Sequence, residues 1–266
     1  MELVNEKTGI QHTSVDQSKA DRVEITFYTD PLCCWSWGFE PQWRRLQYEF
    51  RDQIIYRNVM GGLLPSWKNY NDPVYSVSRP MQMGSVWLEA GRVSGMPMND
   101  KLWVTDPPAS SYPACIAVKC AESQSAEAGQ KYLRMLREAV MIEGKNIAKQ
   151  NVLTELARKL AAAHPNLLDT GKFEADLTND KGLEAFRKDW QETQNRNITR
   201  FPTLILRSPG SPAIMLTGYR PYPVLLDAIK QIAPEIKPAE QDLAEQAYLQ
   251  YWDTLTPREI EEVKMK

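Results

Sequence analysis

The stretch VEITFYTDPLCCWSWGFE, residues 23–40, decides how the rest of the chain is read. Val23–Thr29 is rich in β-branched and aromatic residues and alternates in polarity at its start, the composition of a strand. Asp30-Pro31 stops it, and Cys33, Cys34, Trp35 and Trp37 follow ahead of an amphipathic segment. A strand that hands a thiol to the first turn of a helix sets the sulfur among unpaired backbone N–H groups at the positive end of the helix dipole. Both favour the thiolate, which is the reactive form. Cys33 is therefore the candidate catalytic nucleophile, with an expected titration below about 7.5. The opposing reading is a buried cysteine that acts as a small apolar residue.

Counted from Cys33, the pattern is Cys33-Cys34-Trp35-Ser36, a C-x-x-C spacing with oxygen in place of the second sulfur. Ser36 lies one helical turn on, on the same face as Cys33. Its hydroxyl can donate to a thiolate but cannot attack a mixed disulfide, so an outside thiol would have to resolve one; Ser36 could equally cap the helix. Cys34 is a poor substitute, because disulfides prefer Cα separations of about 4.4–6.8 Å and neighbouring residues sit about 3.8 Å apart. Either Cys34 tunes Cys33, or it is an exposed spare thiol for an external partner. Trp35 is expected at the surface and Trp37 in the core.

Outward from this stretch, residues 37–51 carry apolar residues at helical spacing, with Pro41 tolerable only early or at a kink. Ile54–Met60 reads as a second strand closed by Gly61-Gly62. Strand, helix and strand in so short a space predict a βαβ unit with a parallel pair. Residues 85–94, 112–123, 128–142 and 152–163 then read as helices. So do 173–177 and 181–193, the last with Leu183, Phe186 and Trp190 on one stripe. Strand character returns at Thr203–Arg207 and 213–217, joined by Ser208-Pro209-Gly210-Ser211 as a hairpin. Residues 224–233 and 239–254 read as helices. Thr256-Pro257-Arg258-Glu259 has the form of a capping box opening another. Cys115 and Cys120, about 140° apart on a helix, read as buried apolar residues. Residues 106–113 read as a loop ahead of a helix, and could line the cleft above Cys33.

The chain has 266 residues, a net charge of −2 and no Lys/Arg block, which argues against nucleic acid or an anionic membrane as partner. No apolar run reaches the roughly 18 residues of a membrane span. The first residues lack the apolar core of a secretion signal, so a cytoplasmic protein is expected. Its four cysteines then form no disulfide framework. With only His12 and His164, no metal site is expected.

The order βαβ, helical block, helix, ββα resembles the thioredoxin fold with a helical insertion, the form of the DsbA-like oxidoreductases. The strings carry the likeness. FYTDPLCCWSWGFEP, residues 27–41, is similar to that family's DPLC-x-x-CWGFEP segment, with Ser36 where the family has its second cysteine. ITRFPTLIL, residues 198–206, resembles its cis-proline strand. NVMGGLLPSW, residues 58–67, and DPPASSYPACIAVK, residues 106–119, resemble the FrnE-like branch. The resemblance, over about 23–233, implies an α/β thioredoxin-like domain over 21–62 and 180–233 with a helical insertion over 63–179; residues 1–20, polar and without periodicity, read as a mobile tail, and 234–266 as a helical extension. It also implies a cis Phe201–Pro202 peptide beside Cys33, with Trp35, Phe201 and Pro202 as substrate-binding walls around the catalytic Cys33 and Ser36.

The expected activity is thiol–disulfide exchange of a monothiol kind on a thiol- or disulfide-containing protein or a small thiol. No cofactor is expected beyond glutathione or another low-molecular-weight thiol as co-substrate. A glutathione-dependent isomerase or transferase resembling the kappa class is a second enzymatic option. The layout also resembles the YjbH-type adaptors, which deliver the regulator Spx to the ClpXP protease, and implies a non-catalytic alternative.

Overall fold

A computed structural model describes residues 22–68, 70–239 and 245–264. The expected N-terminal tail, 1–20, lies outside these residues. Four strands, β1 (Val23–Thr29), β2 (Ile54–Met60), β3 (Thr203–Arg207) and β4 (Ile214–Thr217), form one sheet in the order β2-β1-β3-β4. β1 runs parallel to β2, pairing Val23 with Ile54 through Thr29 with Met60, and antiparallel to β3, which is antiparallel to β4. The parallel pair is joined by α1 (Cys34–Gly38) and α2 (Glu40–Glu49). This is the thioredoxin fold. The single helix expected over 37–51 is two helices broken at Phe39, with Pro41 in the first turn of the second. There its missing N–H costs nothing.

The period of two along β1 sorts its side chains. Val23, Ile25 and Phe27 face α2 and α10 (Tyr222–Ile232), packing with Trp43, Leu46, Leu225 and Ile229. Tyr28 faces the other way, with Val59, Ile198 and Ile205. On that side lies α9 (Asp180–Asn195), where Asp189 accepts from the Met60 N–H at 2.9 Å and Glu192 from the Tyr28 hydroxyl at 2.7 Å. Each large apolar side chain so buried contributes about 1.5–3 kcal/mol. Trp190 departs from the expected stripe: it is 41% exposed, and Asp189 beside it points inward.

Between β2 and α9 the chain forms α3 (Met83–Ser94), the short α4 (Leu102–Thr105), α5 (Tyr112–Glu122), α6 (Ala126–Met141), α7 (Gln150–Ala163) and α8 (Thr170–Thr178). Their core, including Trp87, Trp103, Tyr132 and Phe173, is continuous with Leu32, Cys34, Trp37 and Met60 of the βαβ unit. The helices thus share a core with the residues around Cys33.

After α10, the segment expected as one helix over 239–254 is α11 (Glu245–Tyr251), residues 240–244 lying outside the described ones. The capping box of α12 (Pro257–Lys264) is built as its letters require. The Thr256 hydroxyl accepts from the Glu259 N–H at 3.3 Å, and the Glu259 carboxylate accepts from the Thr256 N–H at 2.6 Å. The same carboxylate, with no exposed surface, takes Arg134 at 2.8 and 2.9 Å and Arg44 at 3.0 Å. One residue therefore starts the helix and fastens it to α2 and α6.

Candidate thiol site

The site is assembled at the end of β1. Asp30 cannot continue the strand, because its Oδ1 accepts from the Leu32 N–H at 2.8 Å and its carbonyl from the Cys33 N–H at 3.1 Å. This turn delivers Cys33 as the N-cap of α1, where its Sγ accepts from the backbone N–H of Ser36 at 3.4 Å. The Phe201–Pro202 peptide is cis, and the Phe201 carbonyl oxygen lies 3.6 Å from Cys33 Sγ. Residues 168 apart in sequence thus meet at the sulfur. The S–H donates to that carbonyl while the sulfur accepts from Ser36.

Burial reverses the expected acidity. Cys33 is 4% exposed. Loss of solvent pushes its thiol pKa up; Ser36 opposes this, the negative charge of Asp30 adds to it and Arg137 acts against it. The helix N-terminus is present as read, but burial outweighs the Ser36 bonds and the Arg137 charge that act against it. The Ser36 backbone N–H donates to the sulfur, and both this bond and the buried Ser36 hydroxyl act to lower the thiol pKa against burial.

Cys34 is buried as well, and burial followed by the neighbouring Cys33 pushes its thiol well up. The option of an exposed spare thiol is thereby removed. All four cysteines are free and buried. Cys115 is more than an apolar filler, however, since its thiol donates to Asp30 Oδ2 at 3.3 Å.

Beside Cys33 opens a cavity of about 650 Å³, lined by Trp35, Tyr70, Tyr75, Trp87, Phe201 and Tyr219 among others. Trp35 is half-buried rather than at the surface, stacked on Tyr75 with centroids 6.4 Å apart and tilted against Tyr219 at 6.3 Å. Trp37 is in the core as expected. Residues 106–113 do not line this cavity. They sit one layer behind it, with Ser111 donating to Asp30 and the Pro108 carbonyl accepting from the Trp67 indole.

Two residues of the site escaped the sequence reading. Asp30 has no exposed surface, and four donors converge on it: the N–H groups of Leu32 and Leu63, the Ser111 hydroxyl and the Cys115 thiol. Burial drives its pKa up against those four bonds. Its only signal was the Asp-Pro turn, which any loop can carry. Gly61 is the other. A Cβ there would fall 1.9 Å from the Phe201 ring, so the ring can take its place, and Phe201 its carbonyl at Cys33, only over bare backbone. Among the described residues no cluster of His, Cys, Asp and Glu could hold a metal ion, and no helix is long and apolar enough to cross a membrane.

A family model described as Thioredoxin matches residues 27–226, from the middle of β1 to α10. The chain belongs to the thioredoxin family. Within it, the DsbA-like form of the fold is present, with the helices set between β2 and β3. The cytosolic disulfide reductase DsbM of Pseudomonas aeruginosa superposes with a TM-score of 0.55 at 20% identity, covering 73% of this chain and 88% of that one; DsbM has also been solved with glutathione. A 2-hydroxychromene-2-carboxylate isomerase superposes with a TM-score of 0.56 at 15% identity, covering 77% and 94%. In sequence, this thioredoxin-family chain is 29% identical over 244 residues to the ClpXP adapter protein SpxH of Halalkalibacterium halodurans, covering 88% of this chain and 78% of that protein. It is 26% identical to SpxH of Bacillus subtilis, covering 90% and 77%.

Proposed function

We propose that this chain is a cytoplasmic protein-binding adaptor on a thioredoxin frame, with the Cys33 cleft serving recognition rather than exchange. The observation that carries this reading is the state of Cys33. Its thiol is buried, bonded to the Phe201 carbonyl and pushed up in pKa, with Ser36 where a resolving sulfur would stand. Such a thiol attacks slowly at neutral pH, because the thiolate is the nucleophile. A mixed disulfide on it would have no internal route of release. The likeness to ClpXP adapters over nearly the whole chain supports the same reading. In this division of labour, 21–62 and 180–233 are the thioredoxin-like frame, 63–179 adds partner-binding surface and, within the extension 234–266, α12 fastens the two through Glu259.

Degradation of Spx by ClpXP, with and without this protein, tests the proposal. Cys33→Ala should support degradation as well as the wild type does. Loss of stimulation in Cys33→Ala, with the fold intact, would overturn it.

A second reading is favoured by one feature, the placing of Cys33 Sγ against Phe201 in an open cleft. It is monothiol exchange with a protein or a small thiol such as glutathione, with Cys33 and Ser36 as the reacting pair and Trp35, Phe201 and Pro202 as walls. Oxidised glutathione separates the two. An exchange centre gains a glutathionyl group on Cys33 promptly at neutral pH, whereas the adaptor reading expects Cys33 to stay largely unmodified.

A further inference from the structure

Asp30 Oδ2 is shared between two parts of the chain that are distant in sequence. It accepts from the Leu63 N–H at 2.7 Å, next to β2, and from Ser111 and Cys115 of the α5 turn and helix at 2.8 and 3.3 Å. The Ser111 hydroxyl accepts from the Leu64 N–H at 3.1 Å, which leaves its own proton for Asp30. All the groups bonded to Asp30 are donors, the arrangement an ionised carboxylate requires. No Lys or Arg pairs with it among the described residues.

We propose that Ser111 and Cys115 are positioning residues through which the α5 segment sets the reactivity of Cys33, by holding Asp30 as a buried anion beneath the Cys33 turn. The logic is electrostatic. A buried carboxylate with no counter-ion stays charged only while its donors stay in place. While charged, it opposes a second negative charge on the nearby sulfur. Withdrawing a donor favours the protonated acid and relieves that opposition. Movement of α5, for example when a partner docks on the helices between β2 and β3, would then be felt at Cys33 without any contact to the sulfur. The groups facing Cys33 are Asp30 from the end of β1, Cys34 from α1, Arg137 from α6, and Tyr70 and Tyr75 from the loop over the cleft. Arg200 and Tyr219 line the cleft further out. Of these, Asp30 alone depends on α5 for its donors.

The test is the rate at which iodoacetamide modifies Cys33 in the purified full chain, followed by peptide mass spectrometry as a function of pH. Ser111→Ala should increase the rate at pH 7 and Ser111→Thr, which keeps the hydroxyl, should restore it. Cys115→Ala should act in the same direction, less strongly, and Cys115→Ser should restore it. Asp30→Asn should give the largest increase. A fall of one pKa unit raises the thiolate fraction about tenfold, and the lost intrinsic nucleophilicity leaves a net gain of about threefold in rate. Adding Ser111→Ala to Asp30→Asn should produce no further gain, since the charge it acts through is gone. Simple loosening of the site would instead give additive increases. An unchanged rate in Ser111→Ala, or full additivity with Asp30→Asn, would overturn the latch. So would a Cys33 that stays unmodified in the wild type and all variants. The Spx assay can fail without touching this inference, because the latch rests on Cys33 and α5 rather than on the adaptor reading.

Discussion

Asp30, beneath the Cys33 turn, and Glu259, in the last helix, both lack exposed surface, yet only one of them meets a positive charge. Burial acts to raise the pKa of both. For Glu259 the charges of Arg134 and Arg44 outweigh burial, and the carboxyl is held below the usual glutamate range. For Asp30 four neutral donors do not offset burial, and the carboxyl is pushed up. Equal burial therefore serves opposite ends. The Glu259 region is a clamp, with Arg134 also lying over the Trp37 ring at 4.6 Å. The Asp30 region is poised, a charge kept by geometry next to a thiol.

The clamp should break at the higher cost. Removing one member of a buried ion pair typically destabilises by about 3–5 kcal/mol, because the other charge is left without a partner. Glu259→Ala should approach that range in urea unfolding, since it removes a helix cap and the fully buried carboxylate that Arg134 and Arg44 share, leaving them Glu40 and Glu138. A change within the scatter of a surface substitution would mean that α12 is not fastened as described.

The site end is held by close packing instead. Gly61→Ala places a methyl against the Phe201 ring, and overpacking costs about 1–3 kcal/mol. Displacing Phe201 should draw its carbonyl away from the Cys33 thiol, and alkylation of Cys33 should accelerate as that bond is lost. If stability and alkylation both stay at wild-type values, the Phe201 ring does not lie over Gly61.

The smallest effect, and the sharpest contrast, is in pH dependence. A carboxyl with a lowered folded pKa contributes stability above its unfolded value, near 4.3 for Glu, and loses it as pH falls through the folded one. Wild type should therefore lose its advantage over Glu259→Gln on acidification. Asp30, with a raised folded pKa, contributes stability that is present below about 3.9 and lost as pH rises through the folded value. Wild type should gain on Asp30→Asn as pH falls. Slopes of the same sign in the two comparisons would end the contrast.

The frame was legible because its signals are local. The bounds of β1, β2 and β3 and the Thr256–Glu259 capping box follow from composition and spacing that neighbouring residues enforce. Meeting of Phe201–Pro202 with Cys33 came from likeness to a family, not from spacing, and the structure bears it out. A helix N-terminus that favours an acidic Cys33 is visible in the letters, whereas the burial that pushes its thiol pKa up is made by residues far along the chain. Asp30 and Gly61 were missed for the same reason. An Asp-Pro turn and a glycine pair are common, and only the approach of α5 and the Phe201 ring gives these two their roles. Trp190, read onto a buried stripe, shows the limit of periodicity at the rim of a helix.

Everything said of the cleft turns on Cys33 resting as a buried thiol and not as a thiolate. Its alkylation rate against pH in the wild-type protein, read at Cys33 by mass spectrometry, tests this most directly. The expected inflection lies above the roughly 8.5 of an ordinary cysteine. An inflection below about 7.5 would contradict it and make Cys33 an activated exchange nucleophile.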